Sequence, residues 1–336
     1  MPLTATGHPL HTRTLSITLA HGEPPEVPFA AYVLDLRKRG FAPVGGDLQG
    51  TGIIHHMRLD GVIDRAAKTI ARIGAQMPTV AFEASPATRG ESCRDLIGRV
   101  DHLVGLRLDD GYASAVGAEI GGPRGCSHIL TLAYLVGPTT RWAMAEDERL
   151  HGRAPGRRPG ERIFRRDVTV DGYETAPGEL ALTAQLNDLH FAPSPAVAAP
   201  MQRFGAQREI TISAAVQMKD LLVRHVTAEE RQREIHDVTT APWRSRDDAV
   251  ASLAGRSLRA GISAAILRHF GAAGNDAPLR DALLQLAPTI VQCFAALDIW
   301  ALLPEASTAA STGGLPDSCY MWRRGGGLGT SRDDTR

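Results

Sequence analysis

Leu103-Val104-Gly105, followed by Leu108 and Gly111, recurs 150 positions later as Leu253-Ala254-Gly255, Leu258 and Gly261. The same spacing brings Val116 onto Ile266, Gly121 onto Gly271 and Pro138-Thr139 onto Pro288-Thr289. Upstream, Phe41-Ala42-Pro43 falls on Phe191-Ala192-Pro193. With shifts of two or three residues, Leu15 and Ile17 fall on Val168 and Val170, and Met57 and Leu59 on Ile210 and Ile212. Chance gives one such match; a co-linear series points to duplication, and any fold for this chain must then be built twice.

The 336 residues have room for two domains of about 150 each. A first module is expected over residues 1–145, and a linker rich in Gly, Pro and Arg over 146–160. A second, degenerate module follows over 161–303, and a tail over 304–336. The tail carries Asp317-Ser318-Cys319-Tyr320-Met321-Trp322. Such a cluster after a Ser/Thr/Ala/Gly stretch suggests a segment that docks back over the first module, or a strand completing a sheet.

Within a module the pattern runs from strands to helices. Leu15, Ile17 and Leu19 alternate with polar residues, and Phe29 to Leu36 and Ile53 to Leu59 read similarly. Ile63 to Ile73 is ambiguous between strand and helix. From Arg94 the period changes, with Leu96, Ile97, Val100, Leu103 and Val104 on one helical face. Further helices are expected at Ala113–Ile120 and from Cys126 onward. The fold class is α+β: a tandem duplication of a module with an antiparallel sheet followed by three helices.

Charge narrows the function classes. The 37 basic and 37 acidic residues cancel, so the chain lacks the electrostatic footprint of a nucleic-acid binder or a polybasic membrane anchor. The pairs Arg157-Arg158 and Arg323-Arg324 read as solvated loops. No apolar run reaches the roughly 18 residues of a membrane span, and no secretory signal is visible. Four cysteines are too few for a disulfide scaffold, so a reducing cytoplasm is expected.

The two copies differ in their polar residues. Cys126 faces Asp276, His128 faces Pro278, His55 faces Arg208 and, more loosely, Cys93 faces Trp243. In Gly121-Gly122-Pro123-Arg124-Gly125-Cys126-Ser127-His128, a Gly-rich loop enters an apolar helix with Cys126 in its first turn. Free amides and the helix dipole stabilise a thiolate there, which makes Cys126 a candidate nucleophile or acid with His128 beside it. A buried structural cysteine after turn-forming glycines fits the same letters. His55 shares a strand face with Met57 and Leu59 and is the inward member of His55-His56; it is either a base or a satisfied core histidine. Asp35 could orient a histidine or cap a turn. A metal site would draw on Cys126, His128, His55 or His56, and Cys319, which suits zinc or iron, although Cys-x-His is not the usual ligand spacing.

These residues resemble an uncharacterised bacterial family, DUF2889. The likeness rests on Leu10-His11-Thr12-Arg13, Leu34-Asp35, His55-x-Met57, Cys93 before Leu103-Val104-Gly105, Gly125-Cys126-Ser127-His128, and Cys319 with Arg323 and Gly325. The family commonly has Thr where Ser127 stands, and its members are usually single modules of about half this length. The resemblance covers residues 10 to 137 plus the tail and implies no settled activity. The family's company among catabolic enzymes implies small-molecule chemistry by analogy.

The expected function is a small-molecule enzyme, a lyase, isomerase or hydrolase, with Cys126, His128, His55 and Asp35 as site residues. There is no dinucleotide fingerprint, Walker loop or Ser nucleophile elbow. Its chemistry is therefore expected to be cofactor-independent or assisted by a transition metal. The alternatives are a metal or iron–sulfur scaffold and a non-catalytic binding or assembly module. The expected partner is a small-molecule substrate, with no nucleic acid and no membrane, and a homodimer is compatible with the sequence.

Overall fold

The computed structural model describes residues 7–328, apart from 45–46, 154, 194–198, 236, 259–260, 272–273 and 298–315. The alternating residues Leu15, Ile17 and Leu19 lie in a long strand, β1 (His8–Ala20). It pairs with β2 (Glu26–Arg37), which alternates buried and half-buried side chains along its whole length. A short ribbon of β3 (Ala42–Val44) and β4 (Asp47–Gln49) stands apart from the main sheet. β5 (Gly52–Asp64) returns along β2 and turns into β6 (Thr69–Thr79). The ambiguous stretch Ile63 to Ile73 is thus the end of β5, a turn and the start of β6.

The second half repeats the meander with β7 (Arg162–Ala176), β8 (Glu179–Phe191), β9 (Phe204–Gln217) and β10 (Leu222–Glu234), followed by the two-residue β11 (Arg244–Ser245). All of these except the ribbon belong to one antiparallel sheet in the order β11-β10-β9-β8-β7-β1-β2-β5-β6. The halves meet where β1 pairs with β7, with Leu15 opposite Val168. The architecture is therefore mixed α+β with a large antiparallel sheet, continuous across the chain rather than split between two modules.

The helices depart from expectation in two places. The stretch from Arg94 is a 3-10 helix, Ile97–Leu103, rather than an α-helix, and Val104 is left exposed. Gly98, Val100 and Asp101 are weak α-formers, which favours the tighter, shorter turn. α1 (Tyr112–Ile120) lies where expected. α2 (Ser127–His151) runs on through half of the expected linker. Arg157 of the same linker, expected in a solvated loop, is buried, donating to Asp147 at 2.5 Å and to the carbonyl of Phe191 at 2.6 Å. In the second half, α3 (Asp247–Val250), α4 (Ile262–Phe270), α5 (Ala277–Leu283) and α6 (Leu286–Ala295) follow the strands. Among the described residues no helix is long and apolar enough to cross a membrane.

α2 packs on β1, β2 and β5, and α5 on β8 and β9. α6 packs on β7 and β8 and also crosses the seam to β1 and β2. The covered sheet face carries Leu15, Ile17, Leu19, Phe29, Val33, Met57, Val168 and Val170, all buried. Each such side chain contributes about 1.5–3 kcal/mol when removed from water. Gly172 on β7 lets α6 approach, since a Cβ there would stand 2.1 Å from Sγ of Cys293.

Gly172→Ala should therefore destabilise the fold by about 1–3 kcal/mol in urea unfolding through overpacking. Gly74→Ala, where an added methyl meets nothing within 4 Å, is the control and should cost less than about 1 kcal/mol.

Candidate functional site

At one end of β1, β2 and β5 the inward face changes from aliphatic to polar. Continuing the row of Ile17 and Leu15, β1 places Arg13 and His11 inward; beyond Val33, β2 places Asp35 and Arg37 inward. β5 adds His55, beyond Met57. Cross-strand pairing aligns them, with Arg13 opposite Asp35, Asp35 opposite His55 and His11 opposite Arg37. Asp35, expected to orient a histidine or cap a turn, is no cap: it lies within the last turn of strand pairing and is wholly buried.

The Asp35 carboxylate collects four cationic or N–H-bearing groups. Nη1 of Arg13 donates to Oδ1 at 3.1 Å and to Oδ2 at 3.0 Å. Nε2 of His11 lies 2.9 Å from Oδ1, and Nε2 of His128, reaching in from the first turn of α2, lies 3.0 Å from Oδ2. Nδ1 of His55 is more distant, at 3.4 Å from Oδ2. Burial alone would raise the carboxyl pKa, yet the Arg13 charge and the imidazole contacts together hold it well below its ordinary value. The carboxylate is an anion and can only accept, so Nε2 of His11 and Nε2 of His128 each turn an N–H toward it, and the same charge favours the Nδ1–H tautomer of the more distant His55. His55 Nδ1 makes no aligned hydrogen bond, so its 3.4 Å approach to Oδ2 is an electrostatic contact. Nε2 is then the ring nitrogen of His55 left with a lone pair.

His128 connects the carboxylate to the cysteine, its Nδ1 lying 3.8 Å from Sγ of Cys126. Its ring also stacks on His55 with centroids 4.0 Å apart. Cys126 is the residue just before α2, and the glycines ahead of it are sterically required: a Cβ on Gly125 would come within 2.3 Å of the Ile120 carbonyl oxygen. The thiolate expected at this helix start is not stabilised. Burial and the neighbouring Cys319 push the Cys126 thiol up to about 12, against the smaller downward pull of the amides of Ile129 and His128. Burial likewise raises Cys93 and Cys319. It also lowers His128 to about 3, with the neighbouring His55 adding to the effect.

A cavity of about 220 Å³ opens on this cluster. Arg13, Arg37, His55, Cys93, Cys126 and His128 line it from the first half. Pro288, Val291, Gln292 and Ala295 of α6 close it from the second half, and Ser318, Cys319, Met321 and Trp322 from the tail. The described part of the tail docks as a 3-10 turn (Tyr320–Trp322), not as a strand, with the amide of Tyr320 donating to the Gly125 carbonyl at 2.9 Å. Residues 304–315 and 329–336 of the expected tail, and the module boundary at 303, lie outside the described residues.

The second half holds a different row at the matching place. Arg166, Asp188 and Arg208 stand opposite one another on β7, β8 and β9, each 153 positions after Arg13, Asp35 and His55. Arg166 binds Asp188 through two contacts of 2.7 Å and also pairs with Asp281, 153 positions after His128. The buried Arg–Asp pair thus occurs in both halves, whereas the histidines and Cys126 occur in the first.

Of the residues expected from sequence, Asp35, His55, His128 and Cys126 converge, and Cys319 reaches the same cavity. His56 faces away and is only half-buried. Among the described residues, the one group close enough to share an ion is Asp35, His55 and His128, whose ligand atoms lie within 4.8 Å of one another; neither Cys126 nor Cys319 belongs to it. Reading side chains for chemistry overlooked His11, Arg13 and Arg37. The available signal was their position: they continue, in steps of two, the same strand faces as Leu15 and Val33.

Removing Arg13 alone leaves a buried carboxylate without its only fixed positive charge. Arg13→Met should cost about 3–5 kcal/mol in urea unfolding at neutral pH. Acid should weaken the fold as well. The unfolded chain protonates its histidines near 6.5, while buried His128 resists until about 3 and His11 is also lowered. The unfolded state therefore binds more protons across this window, and stability falls as pH drops below about 6.5. Urea midpoints measured between about pH 7.5 and pH 5 should decline, and less steeply in His128→Gln.

Comparison with curated proteins gave no match, and neither did comparison with solved structures. A family model, described as a protein of unknown function, matches residues 11–141, a span that contains every histidine of the cluster together with Arg13, Asp35, Arg37, Cys93 and Cys126. That family model is DUF2889, and the match makes residues 11–141 of this chain similar to it.

Proposed function

We propose that this cavity is the active site of a small-molecule enzyme working by general acid–base chemistry, in the lyase or isomerase class. The observation that carries the reading is the Asp35 carboxylate facing Nδ1 of His55, which leaves Nε2 of a cavity-lining imidazole as a base. The Cys126 thiol is protonated at neutral pH and sits across the same space, suited to give a proton rather than to attack as a thiolate. His55 would take a proton from a substrate carbon, and Cys126 would return one to a neighbouring atom. The substrate keeps its proton count, and the enzyme is reset when the proton on His55 passes back to the Cys126 thiolate by way of water in the cavity. A hydrolase relying on a preformed thiolate fits the buried thiol less well.

In the same reading the two halves are degenerate copies of one module. The second copy has traded the histidines for a closed ion-pair row and supplies α6 as a wall, the place a second subunit would fill in a single-module relative. The protein would act in the cytoplasm on a small-molecule substrate.

The test is conversion of a bacterial metabolite extract in D2O, followed by mass spectrometry. Species that wild type converts or deuterates should be lost, with rates down about 100-fold or more, in His55→Ala, and reduced in Cys126→Ala. Turnover that survives both substitutions would sink the proposal.

A second reading, a metal centre, draws on the proximity of Asp35, His55 and His128. Imidazole and carboxylate would suit zinc or iron. Arg13 on both carboxylate oxygens places a fixed positive charge against such an ion, so the acid–base reading is preferred. Stoichiometric metal in the purified protein, lost in His55→Ala, would reverse that preference.

A further inference from the structure

Arg37 has a position that the acid–base chemistry does not use. It ends the inward row of β2, is 2 % exposed and lines the cavity. Its Nη1 donates to the Gln49 carbonyl at 2.5 Å, and its Nε has no partner. Among the described residues no carboxylate pairs with it. The other buried arginines behave differently: Arg13 is paired with Asp35, Arg157 with Asp147, Arg166 with Asp188 and Asp281, and Arg280 with Asp281. A buried guanidinium without an anion is costly, and burial, with no opposing charge, lowers its pKa.

Arg13, beside Arg37 in the same wall, likewise has a buried Nε without a hydrogen bond. The rest of the wall is largely apolar, including Val44, Ile54, Phe82, Met321 and Trp322. The polar demand is therefore local, at one end of a hydrophobic chamber.

We infer that the cavity binds a small organic monocarboxylate, with its carboxylate on Arg37 and its hydrocarbon body against Phe82, Ile54 and Trp322. This deepens the acid–base reading by naming the substrate class, and rests on it for the identity of the cavity as an active site. With Nη1 engaged by Gln49, the unbonded edge of the guanidinium is the one formed by Nε and Nη2, whose spacing matches the two oxygens of a planar carboxylate; Nη2 would take the first oxygen, and Nε, covered in the ligand-free protein, the second after a small shift of the side chain. One unpaired positive charge calls for a monoanion; a phosphate dianion would bring a second charge that the site does not neutralise. The bound carboxylate would also hold the substrate beside His55, so that a carbon near the acid group is the one presented to its Nε2.

The test is isothermal titration calorimetry of the full chain with acetate, benzoate and phenylacetate, each against its amide, and with phenyl phosphate. At least one acid should bind about 10-fold or more tightly than its amide and than phenyl phosphate. Arg37→Met and Arg37→Gln should both abolish that preference, and at least one of them should raise the melting temperature of the ligand-free protein by removing an unpaired charge. His55→Ala should keep the preference, so loss of turnover and loss of carboxylate binding can be told apart. The inference is overturned if no acid is preferred to its amide, if phenyl phosphate binds more tightly than every acid, if the preference survives both Arg37 substitutions, or if both lower the melting temperature.

Discussion

A carboxylate with no access to water must find its counter-charge inside the protein, and the organisation of the first half follows from how Asp35 does so. Its partners come from β1 (His11 and Arg13), β5 (His55) and the first turn of α2 (His128). Satisfying it therefore fixes the register of three strands against one another and the angle at which α2 enters. A buried ion pair of this kind is weak evidence for net stability, because desolvation offsets much of the attraction. Its value lies in definition: a slip of one residue in β1 or β2 would turn Arg13 or Asp35 to the opposite face and strand the other.

The row at the same position in the second half shows what such a cluster looks like when it serves structure alone. Arg166 is held between Asp188 and Asp281, with Thr139 of α2 as a further contact. Positive and negative groups are matched there. In the first half, imidazoles stand around the carboxylate, the thiol of Cys126 lies beside His128, and a cavity opens next to them. The shared Arg–Asp pair belongs to the fold; the imidazoles, the thiol and the unpaired guanidinium of Arg37 are what the first half adds. On the duplication reading, the second half has become the first half's wall, through α6.

The positions of β1, β2 and β5 were legible in the sequence, because alternation of Leu15, Ile17 and Leu19 and of the residues from Phe29 to Leu36 has one physical meaning. His55 as the inward member of its pair followed from the same rule, as did the helix after Gly125. The 3-10 form of Ile97–Leu103 was hidden, since apolar spacing cannot separate it from an α-helix. The single sheet was hidden too: pairing of β1 with β7 is a contact across more than 140 residues that no local pattern encodes. At the site, Cys126 drew attention through the chemistry of a helix start, yet burial sets its thiol. Arg13 entered only as a letter of the family motif and Arg37 not at all, because charged residues in a strand normally face solvent and only their place on an inward face reveals that they do not.

Asp35 is an anion faced by Arg13 and three imidazoles, and on the acid–base reading His55 carries its proton on Nδ1 and a lone pair on Nε2. Nitrogen-15 chemical shifts of the histidine rings test this most directly, with His11, His55 and His128 assigned through single substitutions. At neutral pH the account predicts neutral rings for His11 and His128, each with its proton on Nε2, and a proton on Nδ1 of His55. A proton on Nε2 of His55 with Nδ1 bare, or imidazolium signals from His11 and His128 at neutral pH, would contradict it.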